Sequence, residues 1–219
     1  MRTWYGQLQL ATRAKLELTC FKDCIENILT IDVDGSLYVL VQHWWDTTHT
    51  YLFKNVGEMK RKDFAIITTI PSGGFHMKFN NISRLSNTLL RATLVEPIER
   101  WIRDHVLVNW IYDAYCKGEC LDGSSKGIVV MAFILMFIGA NLFVDLAGKV
   151  SLQYMRFLKN LSSISAYNWA NAVLVNQYHE MDDLCRGVTN YIGRMCYAWK
   201  VKLFLSFLFC HDKLQCVSV

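Results

Sequence analysis

Between Lys126 and Asp145 the chain runs for eighteen residues, Gly127 to Val144, without a charged side chain. A helix of that length is just long enough to cross the hydrocarbon layer of a bilayer. Eleven of the eighteen are Ile, Val, Leu or Phe, each contributing roughly 0.3–0.6 kcal/mol toward insertion at a helix centre. Gly127, Gly139 and Asn141 work against insertion, so a span anchored by 128–144 would be favoured only weakly. A helix apolar on all sides has one other stable home, the centre of a helical bundle. That home requires neighbouring helices with apolar stripes, and the sequence supplies them.

Upstream, Ser86 can cap a helix through Leu89, Leu90 and Ala92, and Pro97 fits the first turn of another. Ile98, Trp101, Ile102, Val106, Trp110 and Ile111 then fall near helical spacing, with Glu99, Arg100, Arg103 and Asp104 on the opposite side. Downstream, Ser151 caps a helix carrying Tyr154, Met155, Leu158 and Leu161. Ser165 caps the next, with Trp169, Val173, Met181 and Leu184 inward and Gly187 at its end. Thr189 opens a last long helix bearing Ile192, Met195, Trp199 and Leu203.

Strand signals are confined to one place. A short buried helix capped by Ser36 reaches Trp45, and Thr47, Thr48, Thr50, Tyr51, Leu52 and Phe53 follow as a β-branched and aromatic cluster. Lys54 to Gly57 supplies a turn, and Glu58-Met59-Lys60 returns as the partner strand. A two-stranded ribbon is marginal alone and must lean on helices. Lys62 to Ile70 gives one or two helical turns, stopped by Pro71-Ser72-Gly73-Gly74. The expected fold is mainly α, a multi-helix globular bundle with a small N-terminal β-hairpin.

Composition excludes several classes. A length of 219 residues allows one domain or two small ones. With 53% hydrophobic and 19% charged residues the chain is not a disordered tail. The formal charge is +4, and the densest basic run, Lys60-Arg61-Lys62, is followed at once by Asp63. Tracking a nucleic-acid backbone takes several aligned Lys or Arg, so that run reads as a solvated turn. The opening residues Met1 to Gln7 lack the apolar core of a secretory signal. The eight cysteines therefore read as free thiols in a reducing compartment. Cys20/Cys24 and Cys116/Cys120 have a C-x3-C spacing that would put both sulfurs on one helix face, and four thiolates can hold zinc. Zinc knuckles use C-x2-C with Gly or Pro turns, so small core residues are the preferred reading and no metal is expected.

Acid/base chemistry is equally sparse. His43, Asp46, His49 and Glu58 form the one concentrated set, and two His with two carboxylates can bind a metal. The plainer reading has His43 in solvent, Asp46 capping a turn and Glu58 satisfying donors in the hairpin. His105, His179 and His211 stand alone. P-loops, serine-nucleophile elbows and H-E-x-x-H are absent from the sequence.

The order of several blocks is more informative than any one of them. Trp44-Trp45-Asp46-Thr47-Thr48-His49-Thr50, then Gly57-Glu58-Met59, then Asp63-Phe64-Ala65-Ile66-Ile67-Thr68-Thr69-Ile70-Pro71, resembles the opening of the plant mobile domain, also labelled aminotransferase-like. Ala132 to Gly139, Leu152-x-Tyr154-Met155, Tyr167-Asn168-Trp169-Ala170, Cys185-Arg186-Gly187 and Trp199 continue the family order. The resemblance covers roughly residues 30–210, giving an N-terminal extension over 1–30, the domain over 31–212 and a tail over 213–219. Thr69 and Ala170 stand where the family usually has Gly, and the chain resembles a short or truncated copy. The resemblance implies motif positions of structural rather than catalytic role at Trp45, His49, Thr50, Gly57, Glu58, Asp63, Phe64, Pro71 and Trp169. It also implies that the uncharged run is a core helix and not a membrane span.

Family members similar to maintenance-of-meristems proteins are nuclear, spread with transposable elements, and linked to transposon silencing, genome stability and development. They are linked as well to a partner related to protein phosphatase 7. The implied protein is therefore non-enzymatic and acts through protein partners, touching nucleic acid indirectly at most. The aminotransferase label would require a Schiff-base Lys, a carboxylate for the pyridine nitrogen and a phosphate cup. Ser72-Gly73-Gly74 and Gly123-Ser124-Ser125-Lys126-Gly127 resemble a cup in composition alone, without the large α/β pattern that would frame it. No cofactor is expected.

Overall fold

Ile128 to Phe137 offer solvent no polar edge, and the helix they form is buried round most of its circumference. The computed structural model describes residues 2–30, 43–51, 58–79, 105–116, 126–145, 147–190 and 194–215. Its helices are α1 (Arg2–Gln7), α2 (Leu10–Glu17), α3 (Lys22–Thr30), α4 (Arg61–Thr68), α5 (Val108–Cys116), α6 (Lys126–Phe137), α7 (Met155–Leu158), α8 (Trp169–Cys185) and α9 (Tyr197–Gln215). The strands are β1 (Trp44–Trp45), β2 (Thr50–Tyr51), β3 (His105–Leu107) and β4 (Lys149–Ser151), paired β1–β2 and β3–β4, both antiparallel. The protein is thus mainly α-helical, with the expected small hairpin near the N-terminus.

The central helix α6 packs against α2, α5 and α7. Ala132, Phe133, Ile134, Leu135 and Phe137 are all sealed from solvent. Each large side chain so buried stabilises the fold by about 1.5–3 kcal/mol. Aromatic edges knit the neighbours on. Trp4 of α1 meets Phe133 and Tyr112 edge-on, and Phe21 meets both Phe137 and Trp169. The segment from Trp4 to Ile25 is therefore built into the same core as the helices that follow. No helix among the described residues is long and apolar enough to cross a membrane.

After Phe137 the helix widens into a π turn, Ile138–Leu142. Asn141 sits inside it and donates its side-chain amide to the Phe137 carbonyl at 3.0 Å. The turn brings Gly139 flush against the β3–β4 ribbon. A β-carbon there would lie 2.5 Å from the Cβ of Val150 and 3.0 Å from a methyl of Val108. Neither atom is the end of a flexible chain, so Gly139→Ala should cost about 1–3 kcal/mol through overpacking. A urea titration would show it as a lower midpoint at unchanged slope.

Several expectations are corrected here, each because tertiary pairing overrides local pattern. Trp44 and Trp45 form a strand rather than a helix end, and their partner is Thr50–Tyr51 across a four-residue turn. Glu58-Met59-Lys60 is not the returning strand. His105–Leu107, read as helix, pairs with Lys149–Ser151, and the helix begins only at Val108. The cap of α8 is Asn168, whose side-chain oxygen accepts from the Asn171 N–H at 3.1 Å, not Ser165. Thr189 lies outside any helix. The helices expected from Ser36 and over 86–97 lie outside the described residues, as do Gly57 and Cys120.

Thr69 ends α4 with φ of 58°, in the left-handed region. That conformation crowds a β-branched side chain and costs about 1–2 kcal/mol. Thr69→Gly should relieve it, less about 0.5–1 kcal/mol for the freer unfolded chain. The net expectation is a small rise in thermal midpoint, checked by calorimetry.

Candidate functional site

Helix α8 organises the residues that the sequence singled out. Leu174, Tyr178 and Asp182 follow one another at four-residue spacing, so they share a face. Leu174 belongs to the core, and the same row carries a carboxylate, 7% exposed, into an aromatic setting. The turn between β1 and β2 closes over it.

Asp182 holds that turn with both oxygens. The indole of Trp44 donates to Oδ1 at 2.8 Å, and His49 Nε2 lies 3.1 Å from Oδ2. His49 adopts φ of 51°, which lets the tight turn aim its ring back at α8. The rings of Trp44, His49, Tyr178 and Trp199 pack on one another, with centroids 4.8–6.1 Å apart. One turn beyond Asp182, Arg186 Nε donates to Asp46 at 2.9 Å. The hairpin is therefore clasped by the last turn of α8 and by the residue that caps its end.

A second set of contacts ties the following segment to α8 and α9. Tyr178 donates its hydroxyl to the Met59 carbonyl at 2.7 Å. Burial, reinforced by Glu58 and Asp63, raises the phenol above its ordinary range, so it stays protonated. The ammonium of Lys202 reaches Asp63 at 3.2 Å and the Glu58 carbonyl. Lys60, Arg61 and Lys62 are exposed at the start of α4, as expected of a solvated run.

Other motif positions also make packing and hydrogen-bond contacts. Phe64 is fully buried. Pro71 offers its carbonyl to the Ala170 N–H at 3.1 Å, which docks the chain beyond α4 onto the start of α8. Trp169 is fully buried between Phe21 and Phe157, with its indole on the Ile164 carbonyl at 2.9 Å. Thr50 pairs with Trp45 in the hairpin, and its hydroxyl meets that of Thr48 at 2.7 Å. Trp45 is half exposed and bonds to Thr47 within the turn. Of the acid/base set, Asp46 and His49 come together on α8, Glu58 is exposed near Lys202, and His43 is half-buried.

Sequence reading gave no role to Asp182, Tyr178 and Lys202, and placed Arg186 only within the Cys185-Arg186-Gly187 block. The available signal was the row Leu174–Tyr178–Asp182, which places an acid where an apolar stripe should continue. A family model described as plant mobile domain matches residues 24–208. The chain belongs to the plant mobile domain family. No curated protein and no solved structure matches it. In this plant mobile domain His49, Asp63, Pro71 and Trp169 lie at the joints between the hairpin, α4, α8 and α9.

The thiols of the plant mobile domain are sorted by burial. Desolvation pushes Cys20 and Cys196 up to about 12, and raises Cys24 as well. No group of three or more His, Cys, Asp or Glu able to hold a metal occurs among the described residues. The folded state keeps protons on these thiols that an unfolded chain would lose above its ordinary value of 9.0. Stability from this source is therefore fully present below pH 9 and declines as pH rises toward 12. Alkylation followed by mass spectrometry should modify exposed Cys185 rapidly in native protein, and Cys24 and Cys196 only after denaturant. Equal native rates at Cys24 and Cys185 would contradict the burial.

Proposed function

We propose that this plant mobile domain protein is non-enzymatic and acts in the nucleus through protein partners, as the family members similar to meristem-maintenance factors do. Transposon silencing and genome stability are the processes in which its loss is expected to register. A protein phosphatase 7-like protein is the first partner to test, and nucleic acid is reached through such partners. The supporting observation is how the acid/base residues are used. His49, Asp46, Asp63 and Lys202 are engaged in joints between elements, with Asp182 covered by the rings of Trp44 and His49.

Proximity labelling from the full chain, expressed at native level in plant cells, tests this reading. Enrichment of nuclear proteins with a phosphatase 7-like protein among them is the expected result. Exclusion from nuclei, or labelling confined to another compartment, would sink it.

A further inference from the structure

Helix α4 buries Phe64 and Thr68 and keeps Lys62, Ala65, Ile66 and Thr69 on a face of their own, at the spacings of neighbours along a helix. That face walls an open groove of about 570 Å³. Ile70 and Pro71 extend the wall, and Cys20 closes it from the turn between α2 and α3. Of the apolar lining, Ile70 is buried while Ile66 is 76% exposed. Lys62 is the charged residue of the lining, and Lys60 and Arg61 precede it, both exposed. The acid that follows, Asp63, is held by Lys202 at 3.2 Å. The groove is therefore apolar with a cationic end.

A protrusion of the complementary kind lies two residues from the groove wall. Leu18 caps the end of α2 and is 86% exposed, with the exposed carboxylate of Glu17 immediately before it. The main chain here is fixed to the core. Thr19 and Phe21 on either side of Cys20 are buried, and the Thr19 hydroxyl donates to the Leu16 carbonyl at 2.7 Å. Four other large apolar side chains among the described residues are more than two-thirds exposed: Leu10, Ile66, Phe75 and Val188. None of these four has an acid next to it in the chain. An exposed leucine alone is ordinary. A leucine joined to an acid, close to an apolar groove that carries a base, is self-complementary.

We propose that this face pairs with the same face of a second copy of the chain. Leu18 of each copy enters the groove of the other and covers Ile66, and Glu17 of each meets Lys62 of the other. A two-fold axis makes the exchange reciprocal and closes it at two copies. The apolar insertion supplies the affinity. The ion pair at its rim sets the register and makes association weaken as salt rises. A surface this small gives a transient dimer rather than an obligate one. Self-association needs no other protein, so the inference stands apart from the partner-dependent function above.

Sedimentation velocity on the purified full chain tests it between about 1 and 100 μM, the range in which small transient interfaces form. The mass should rise from monomer to dimer with concentration and fall back in added salt. Leu18→Asp and Ile66→Asp should each weaken association about tenfold or more. Glu17→Lys and Lys62→Glu should each weaken it about threefold or more, and the two combined should restore most of the loss. All four positions are exposed, so an unchanged thermal midpoint in dilute solution confirms folding. A chain that stays monomeric throughout overturns the proposal and leaves the groove to a different protein. A dimer indifferent to Leu18→Asp overturns it as well, as does a double charge exchange no better than either single one. A ladder of higher species overturns the two-fold arrangement.

Discussion

Alanine in place of Trp169 should remove about 4 kcal/mol of stability, the middle of the range for a truncated aromatic core residue. The side chain is fully buried at the start of α8, where Phe21 and Phe157 both meet it edge-on. Its indole also donates to the Ile164 carbonyl, which accepts the Tyr167 N–H at the end of the short 3-10 segment Leu161–Ala166 as well. Domains of this kind hold only about 5–15 kcal/mol in total, so the variant should unfold at a much lower urea concentration. Trp169→Phe keeps most of the volume and loses the hydrogen bond, and should cost about 1–2 kcal/mol. Equal losses for the two variants in circular dichroism melts would show that the volume at this junction does not matter.

Asp182→Ala is expected to cost about 3 kcal/mol, because one change removes the acceptor of the Trp44 indole and the partner of His49 inside an aromatic shell. For a chain of this size that is a fall of roughly 6–12 °C in thermal midpoint. Asp182→Asn retains an acceptor for the indole and should cost much less. The effect should reach the hairpin before the rest of the fold. Hydrogen exchange at Trp44, Trp45 and Thr50 should accelerate in the alanine variant while α6 stays protected. Uniform acceleration across α6 and the hairpin would mean that the clasp has no local role.

These two positions also show what could and could not be read from the residues alone. Trp169 was legible: it sits at helical spacing with Val173 and belongs to an ordered family block, although the cap was read at Ser165. The all-apolar run around Ile134 was legible as a core helix once its neighbours' stripes were counted. The partner of Trp44 was not. Asp182 lies 138 residues away, and no local period encodes which acid a given indole will meet. The strand at His105–Leu107 was lost for a related reason. Its partner Lys149–Ser151 lies beyond α6, and three residues carry too little alternation to outvote the surrounding helical pattern. The π turn was hidden too, since Gly139 and Asn141 look like ordinary interruptions until Val150 is seen pressed against them.

The clasp between Trp44 and Asp182 has a consequence for how the molecule is made. At ribosomal rates of 5–20 residues per second, the hairpin waits roughly ten seconds before its anchor on α8 is synthesised. Trp199, which packs on the same ring, comes later still. During that interval the nascent chain carries the Trp44 face and the unfilled side of Phe21 in water, with nothing yet made to cover them. Production of this protein should therefore depend on holdase chaperones far more than its finished stability would suggest. A shortened message that ends before α8 would yield a chain with permanent exposed aromatics, which the cell's quality control would clear.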